Sequence, residues 1–572
     1  MLLQVGRAQV GGVVGPIECD PQAVHTDRLC VKLVEGSGAQ WRDGKLVSRT
    51  GMDLTSVAAI FAQAMLRPLV YSVSWEELDA WHRHACAVLP SHNRPGHLGL
   101  WFHLTGATAA STANLRDQLL SNALIAHVHH EPRYVPASAA VPPGGDIPPT
   151  TPLFTSLQLT HNLSPQGHGV RRSSGVFGAR GQDIKFVMLE QSFVLGHEDV
   201  CQLVASNFIG TVPALDMQYA QHGLAGAAMV CGDRNAYGFT GIADEVTARF
   251  LGLTQAGGFE NGLAIAVSQT QPADLIMVVI IIQVPSLGLG TWVPVEYFQS
   301  SFDATLTATA LGRQVVVPGG NGNLSLDDPA LLNRFDRNFR DSGAVMVAAS
   351  AAGALQRASF SNWGSRIDAH SWGDQVASCG YGTTFFPNFD ILQSYSAGVA
   401  GTSASTPQLA GLVASIQGAA KKQLGQALTN QQLLAALHTY GPTTPDIIGR
   451  RPDLVAMFEG LGIIDGLMVD TPDLALTATM TVTMAGAPGS LAALFASFAA
   501  GDFDLGFNRH VHLDLLSLVS LGAFVLPTGT ASWSLAVPNN ASLHGADLYF
   551  QAVRLTGASP LHVTNSCQVT IL

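Results

Sequence analysis

The sequence predicts a central α/β domain, with a parallel sheet and helices on both faces, between an N-terminal α+β domain and a C-terminal β-sandwich. Three observations support this fold class. In the middle of the chain, short apolar segments alternate with helical segments, as in βαβ units. A proline- and alanine-rich stretch separates this region from the first block. The last block contains short alternating segments between turn residues, which is typical of antiparallel strands.

Length and composition exclude several classes of protein. The chain has 572 residues, which allows roughly three or four domains of about 150 residues. Hydrophobic residues make up 47% and charged residues 12%, so the chain can bury a large core and is not disordered. The net charge of −12 argues against a nucleic-acid-binding protein, whose binding face is basic. The longest apolar run, residues 275–282, is far shorter than the roughly 20 residues of a membrane span, so none is expected.

The first block, residues 1–134, combines helical and strand patterns. Residues 54–65 predict a helix, residues 98–103 an apolar strand, and residues 112–132 a helix followed by a strand. The proline-rich residues 135–152 cannot form a packed element and are interpreted as a linker. The N-terminus has no charged segment followed by a long apolar run, so no secretory signal is predicted and localisation stays open.

The second block, residues 153–465, predicts the parallel sheet. Apolar runs indicate strands at residues 184–189, 275–282, 314–318 and 344–348, and helical patterns lie at residues 302–311 and 407–424. Because helices separate the strands, we expect the strands to run parallel and the helices to cover both faces. The third block, residues 471–572, predicts the β-sandwich.

Cysteine and histidine patterns point away from a metal centre. The seven cysteines are scattered and form no C-x-x-C pair, which argues against a disulfide scaffold or a structural zinc site. Three H-x-H patterns, at residues 82–84, 127–129 and 510–512, could each place two imidazoles on one strand face. We interpret them as surface or packing histidines.

The strongest chemical signal surrounds Ser403. It lies in the string GTSASTPQLAG, where a proline four residues later is expected to open a long apolar helix. A helix N-terminus stabilises developing negative charge, which suits a nucleophilic serine, although a Ser/Thr helix cap is the simpler alternative for an isolated motif. The full string resembles the nucleophile motif of the subtilisin-like serine proteases, the subtilase or peptidase S8 family. This resemblance implies a serine endopeptidase with protein or peptide substrates and no required cofactor.

The resemblance also implies a histidine at the start of a helix, which His222 supplies. His222 lies in QHGLAGAAMVCGDRNAYGFTGIAD, where small residues let the helix pack close to the sheet. The family usually has Gly-Thr after this histidine, whereas this chain has Gly223-Leu224. The difference could reshape the substrate cleft but removes no catalytic group.

The triad acid implied by the resemblance is Glu190, in DIKFVMLEQSFVLGHEDV, where most relatives carry aspartate. The pattern is similar to a bacterial branch of the family with glutamate at this place. Glutamate can accept the imidazole Nδ1–H as aspartate does, with one more methylene in its side chain. Asp183 and Asp216 are the alternative acids.

An oxyanion-hole donor is the fourth expectation, and Asn321 in RQVVVPGGNGNLSLDDP fills it by resemblance. The order acid, histidine, asparagine, serine agrees with the subtilisin order. Phe360-Ser361-Asn362-Trp363-Gly364-Ser365 also resembles a family element before the nucleophile, and the resemblance covers about residues 154–460.

Further expectations concern regulation and ions. The N-terminal block stands where the family keeps an inhibitory propeptide, so the chain is expected to be a zymogen inhibited by its own first domain; a permanent accessory domain is the alternative. By resemblance, Asp199 and Asn235 could share a structural calcium ion.

Two other functions stay open: a pseudoprotease that binds peptides without cutting them, and an esterase using the same triad. Glu296 could favour a basic residue near the cut, or simply be a surface charge.

Overall fold

The computed structural model describes residues 24–42, 44–132, 145–284, 292–470, 472–503, 510–526, 528–555 and 561–572. Most of the predicted linker, residues 135–152, lies outside the described residues, and only its final part is described. The predicted first block is described from residue 24 onward.

The N-terminal block is an antiparallel sheet with helices. Its four-stranded sheet has the order β4-β5-β1-β6, and a separate hairpin pairs β2 with β3. One sheet face packs on α1 and α3 through residues such as Val31 and Phe102. The elements are β1 (Val24–Leu33), β2 (Ala39–Arg42), β3 (Lys45–Ser48), α1 (Thr55–Phe61), β4 (Met65–Pro68), α2 (Trp75–Val88), β5 (Trp101–Thr105), α3 (Ala109–Leu120) and β6 (Ile125–Pro132). The predicted helix 54–65 is therefore shorter, and its last residue begins β4.

The central block contains a six-stranded parallel sheet in the order β14-β13-β12-β9-β7-β8. Its strands are β7 (Lys185–Glu190), β8 (Thr247–Gly252), β9 (Leu275–Val278), β12 (Gln314–Pro318), β13 (Val345–Ser350) and β14 (Ala369–Trp372), and two further hairpins pair β10 (Ile281–Gln283) with β11 (Trp292–Pro294) and β15 (Val376–Cys379) with β16 (Tyr395–Val399). The parallel sheet with helices, predicted from alternating apolar and helical segments, is confirmed.

Helices cover both faces of this sheet. Alternate strand residues project to opposite sides: Met188 and Val316 join one apolar core, and Val187 and Val317 join the other. The first core contains residues of α5 and α9, and the second contains residues of α7 and α8. The helices are α4 (Val170–Ser173), α5 (Met217–Cys231), α6 (Leu253–Ala256), α7 (Phe259–Gln269), α8 (Gln299–Ala310), α9 (Thr402–Leu424), α10 (Asn430–Thr439) and α11 (Leu454–Gly460).

Two predicted elements of the central block differ from the observed ones. The run 275–282 is not one strand, because β10 leaves the parallel sheet after β9 and pairs antiparallel with β11. The helix predicted from residue 407 begins at Thr402, so Pro407 lies inside α9. Proline has no N–H, and the carbonyl of Ser403 therefore lacks its usual i+4 donor.

The C-terminal block consists of β-structure around one core, and its strand pairs are antiparallel except for β18 with β26, which is parallel. A three-stranded sheet has the order β17-β19-β24, and a five-stranded sheet has the order β18-β26-β25-β20-β23. Residues of both sheets, such as Val482 and Phe550, contribute to a single apolar core. The strands are β17 (Leu467–Val469), β18 (Asp473–Leu474), β19 (Thr479–Ala485), β20 (Leu491–Ser497), β21 (Ala500–Phe503), β22 (Val511–Leu513), β23 (Val519–Val525), β24 (Thr530–Ala536), β25 (Asp547–Leu555) and β26 (His562–Ile571).

Candidate active site

Glu190 is the last residue of β7, at the carboxyl end of the parallel sheet. Its side chain is buried, and Oε2 lies 2.6 Å from Nδ1 of His222. The other oxygen, Oε1, accepts the backbone N–H of Gln191 at 2.6 Å. One carboxylate oxygen of Glu190 is thus held by the main chain, and the other oxygen faces the imidazole of His222.

His222 lies in the second turn of α5, a helix whose first turn is capped by Asp216. The helix approaches the chain after β7 very closely: a Cβ atom at Gly223 would lie 2.0 Å from the carbonyl oxygen of Ser192. Only glycine permits that approach, which brings His222 within reach of Glu190. Burial by itself lowers the pKa of His222, but the charge and the hydrogen bond of Glu190 outweigh it, so the pKa lies above its ordinary value.

Of the three acids that the sequence offers, Glu190 is the one that contacts His222. Asp183 is exposed and its carboxylate pairs with Nζ of Lys422 at 2.5 Å. Asp216 accepts the N–H of Gln218 at 2.9 Å as the N-cap of α5. Both alternatives therefore have structural roles of their own.

Ser403 lies in the first turn of α9 and is partly exposed. Helices α5 and α9 pack together: a Cβ atom at Gly226 would lie 3.6 Å from Cγ of Pro407. Gly226 is one turn beyond His222, and Pro407 is one turn beyond Ser403. This matched spacing puts the histidine and the serine at the same end of two packed helices.

Asn321 follows β12 in the Gly-Asn-Gly loop, and its side chain is oriented by Thr402. The backbone N–H and the hydroxyl of Thr402 donate to Oδ1 of Asn321 at 2.8 and 2.9 Å. Around Gly401, three groups converge: a Cβ atom there would lie 3.4 Å from Asn321 Nδ2, 3.5 Å from Ser403 N and 3.8 Å from Ser403 Oγ. Two N–H donors therefore lie near the serine hydroxyl.

Sequence reasoning missed the supporting roles of Thr402 and Asn362. Asn362 braces the Asn321 loop, because its Oδ1 accepts the N–H groups of Gly322 and Leu324 at 2.9 and 3.0 Å. Its Nδ2 donates to the carbonyl of Gly319 at 2.8 Å. Both residues lie in the motifs quoted for the resemblance, so their positions in those motifs were the available signal.

Asp199 and Asn235 lie together, and their side chains are hydrogen-bonded to each other. Asn235 Nδ2 donates to one oxygen of Asp199 at 2.8 Å, and the N–H of Phe239 donates to the other at 2.6 Å. Burial raises the pKa of Asp199 well above its ordinary value. These contacts satisfy the carboxylate with N–H donors and do not fit a calcium site, which needs free oxygen ligands. The calcium expectation stays a prediction without support from this geometry.

The described ranges contain neither a cluster suited to a metal ion nor a membrane-spanning helix. No group of three or more histidine, cysteine, aspartate or glutamate side chains there is placed to hold a metal ion. No helix among the described residues is long and apolar enough to cross a bilayer.

Glu296 is buried and accepts a hydrogen bond from the hydroxyl of Ser342 at 2.9 Å, so its interpretation as a surface charge is wrong.

One family model matches part of the central block. Residues 206–446, less than half of the chain, match the model of the subtilase family. The match includes His222, Asn321 and Ser403, whereas Glu190 lies before it.

The solved structures that resemble the chain include a lanthipeptide protease, at 17% identity and a TM-score of 0.37 over 49% of this chain and 88% of that one. They also include a mutant of the protease domain of PatA, at 16% identity and a TM-score of 0.36 over 49% of this chain and 95% of that one. A comparison with curated proteins gave no match.

Proposed function

We propose that this chain, a subtilisin-like serine peptidase by its subtilase-family domain, hydrolyses peptide bonds with Ser403 as nucleophile, His222 as general base and Glu190 as triad acid. Asn321 is the oxyanion-hole donor. The observation that carries the proposal is the 2.6 Å hydrogen bond from His222 to Glu190. The helix of His222, α5, packs beside the helix of Ser403, α9. Its substrates are proteins or peptides.

The proposed mechanism assigns a step to each of these residues. Glu190 accepts the Nδ1–H of His222, which leaves Nε2 free to take the proton of the Ser403 hydroxyl. The serine oxygen attacks the scissile carbonyl, and the developing oxyanion is held by Nδ2 of Asn321 and the N–H of Ser403. His222 then gives its proton to the leaving amine, and water, activated by the same imidazole, releases the acyl group from Ser403.

Labelling with a fluorophosphonate probe tests these assignments in the intact chain and in the chain whose first block an added protease has removed. We expect one adduct on Ser403, located by peptide mapping, which is absent in Ser403→Ala and His222→Ala. Glu190→Gln should label far more slowly, because the imidazole loses the acceptor that fixes its tautomer. Asp216→Asn is the matched control: the amide oxygen retains the helix cap, and labelling should stay near the wild-type rate.

Four outcomes would overturn parts of the proposal. An adduct on another serine would replace Ser403 as nucleophile. Slow labelling of Asp216→Asn together with wild-type labelling of Glu190→Gln would make Asp216, and not Glu190, the triad acid. Ester hydrolysis without any peptide cleavage would favour the esterase, and no labelling in either the intact chain or a chain that has lost its first block would favour the pseudoprotease.

The proposal extends to the N-terminal block as an intramolecular inhibitor, which makes the chain a zymogen. Its support is the docking of the block on α7 and α8. The second face of its sheet, with Cys30 and Trp101, shares an apolar core with these helices. Trp101 Nε1 donates to Asp303 at 3.3 Å, and Nε2 of His129 lies 3.0 Å from the Ser300 hydroxyl.

The C-terminal block is proposed to be a β-sandwich accessory domain. The core common to its two sheets supports the sandwich. Its attachment to the central block is ionic as well as apolar: Arg234 pairs with Asp244 at 3.0 Å and with Asp473 at 2.5 Å. Because Asp244 also pairs with Arg180 at 2.5 Å, the interface contains a buried charge network that fixes the accessory domain in place.

A further inference from the structure

An aromatic ridge lies in the loop between β15 and β16. Strand β16 leads into the turn that contains Ser403. We define the ridge by three residues of this loop, Tyr381, Phe386 and Phe389. Phe389 is 84% exposed, which is unusual for so large an apolar side chain. Tyr381 is also exposed, and Phe386 is half-buried. The rings of Phe386 and Phe389 are in contact, and with Tyr381 in the same short loop they form a local apolar surface rather than a single scattered residue.

The ridge begins directly beside His222. The backbone N–H of Tyr381 donates to Oε1 of Gln221, the residue before His222, at 2.5 Å. The preceding glycine fits closely against the same residue, since a Cβ atom at Gly380 would lie 3.1 Å from the carbonyl oxygen of Gln221. The loop therefore contacts the catalytic helix at the point where the imidazole emerges.

Beyond Tyr381, the ridge continues with Phe386 and Phe389. Phe386 covers Gly382, because a Cβ atom at Gly382 would lie 2.6 Å from the ring. The rings of Phe386 and Phe389 meet edge to face, with centroids 5.6 Å apart and planes at 85°. Asn388 and Phe389 both adopt left-handed backbone conformations, with φ of 53° and 58°. Such a conformation is rare for a bulky residue, and strain of this kind concentrates at functional sites.

The base of the loop is held firmly, so the ridge is presented by a rigid support. The N–H of Tyr395 donates to the carbonyl of Phe385 at 2.9 Å. The hydroxyls of Thr383 and Ser396 lie 2.5 Å apart. The ring of Phe385 packs against those of Phe154 and Tyr395. Rigid support lowers the entropy that an exposed aromatic side chain loses on binding.

The chemistry of acyl transfer assigns a side of the substrate to the ridge. The acyl carbonyl must sit at Ser403 and Asn321, whereas the leaving nitrogen must sit at the imidazole that protonates it. Residues that follow the scissile bond therefore leave the site past His222, where Tyr381 begins the ridge. We propose that the ridge binds an aromatic or large aliphatic side chain of the substrate residues that follow the scissile bond. This inference rests on the proposed function, because it takes the roles of His222 and Ser403 from it.

Digestion of a peptide library tests the inference, with cleavage sites mapped by mass spectrometry, and it uses the full chain both intact and after an added protease has removed its first block. We expect aromatic and large aliphatic residues to be enriched at the first two positions after the cut. Tyr381→Ala and Phe389→Ala should reduce this enrichment about tenfold, and Phe389→Leu should retain part of it. The preferences before the cut should not change. Phe498→Ala, at a 60% exposed phenylalanine of the C-terminal block, is the matched control and should cleave as the wild type does.

Acyl transfer gives a second readout on the leaving side alone. The substrate is a peptide ester whose acyl part is the sequence before the cut in a cleaved library peptide. It forms the acyl-enzyme, which is then attacked by water or by one of two added acceptors, phenylalaninamide and glycinamide. The wild type should favour phenylalaninamide over glycinamide, and the two alanine variants should lose this preference.

The failures of the two proposals are distinguishable. Cleavage that depends on Ser403, but with unchanged leaving-side preferences in Tyr381→Ala and Phe389→Ala, would overturn the ridge and leave the proposed function standing. Altered preferences before the cut in these variants would also overturn it. Absence of any cleavage that depends on Ser403, both by the intact chain and by the chain whose first block an added protease has removed, would overturn the proposed function, and the ridge with it.

Discussion

Thr402 directs both of its hydrogen-bond donors at one atom, Oδ1 of Asn321. The backbone N–H lies 2.8 Å from this oxygen and the hydroxyl 2.9 Å. Two donors at Oδ1 fix which way the carboxamide points, so Nδ2 faces the space above Gly401 and beside Ser403. An oxyanion donor acts best when it is oriented before the reaction, and Thr402 supplies that orientation.

We predict that Asn321→Ala lowers kcat by about 10²–10³ with little change in KM, because the donor acts in the transition state. Thr402→Val retains the N–H but removes the hydroxyl, and should lower kcat about five- to tenfold. Steady-state kinetics on a cleaved peptide measures both.

Thr406→Val is the control for the threonine variant, since the Thr406 hydroxyl bonds only along its own helix, to the Thr402 carbonyl at 2.8 Å. An effect of Thr406→Val as large as that of Thr402→Val would contradict a specific role of the Thr402 hydroxyl.

The pH dependence of activity should report the Glu190–His222 pair. Because the pKa of His222 is raised, kcat/KM should increase with pH through an inflection above the ordinary value of about 6.5. Glu190→Gln should lower the rate by about 10³–10⁴ and move the inflection to lower pH, because burial then acts without the opposing carboxylate. Fluorophosphonate labelling rates across pH measure both effects. An inflection that stays in place in Glu190→Gln would show that another group controls it.

The same pair should make stability depend on pH. A raised folded-state pKa contributes stability that is fully present below the unfolded pKa of about 6.5 and is lost as pH rises through the folded value. Urea unfolding of the wild type should show this loss, and Glu190→Gln should remove it. Equal pH dependence in both proteins would contradict the pairing in solution.

Two glycines of α5 should differ sharply in their tolerance of a methyl group. A Cβ atom at Gly223 would meet the main-chain oxygen of Ser192 at 2.0 Å, whereas at Gly226 it would meet the flexible end of Met188 at 2.8 Å. Gly223→Ala should cost about 1–3 kcal/mol of unfolding free energy and displace His222, with loss of labelling. Gly226→Ala should stay within about 1 kcal/mol of the wild type. Equal effects of the two substitutions would contradict this account of helix packing.

Docking of the N-terminal block should depend on Asn261. Its Oδ1 accepts three hydrogen bonds, from the N–H of Tyr71 at 3.0 Å and from the N–H and hydroxyl of Ser72 at 3.2 and 2.9 Å. Asn261→Ala leaves these donors without their acceptor, at a cost of about 1–3 kcal/mol. If the block inhibits the enzyme, the intact variant should cleave peptides faster than the wild type, and an added protease should remove its first block sooner.

Gln63→Ala, at an exposed position of the same block, is the control and should leave both properties unchanged. Faster removal of the block without faster peptide cleavage would identify it as an accessory domain instead.

Local patterns in the sequence predicted the framework of the central domain. Apolar runs of five or six residues indicated β7, β12 and β13, because a strand buried on both faces is apolar at every position. Small residues after His222 indicated a helix that approaches its neighbours closely. The motifs also named Glu190, His222, Asn321 and Ser403, and the structure brings Glu190 against His222 and Asn321 beside Ser403. The catalytic roles of these residues stay predictions.

The tertiary structure alone decided which groups meet. Asn321 and Thr402 are 81 residues apart in sequence, and Tyr381 and Gln221 are 160 apart, so no local pattern reports either contact. Hydrophobic periodicity also could not locate the end of β9, because residues 275–282 are apolar throughout while the chain changes its partner strand after Val278. Sequence determines which side chains are available and which segments are strands or helices. Packing of distant segments determines which donor faces which acceptor, because those distances depend on the whole fold.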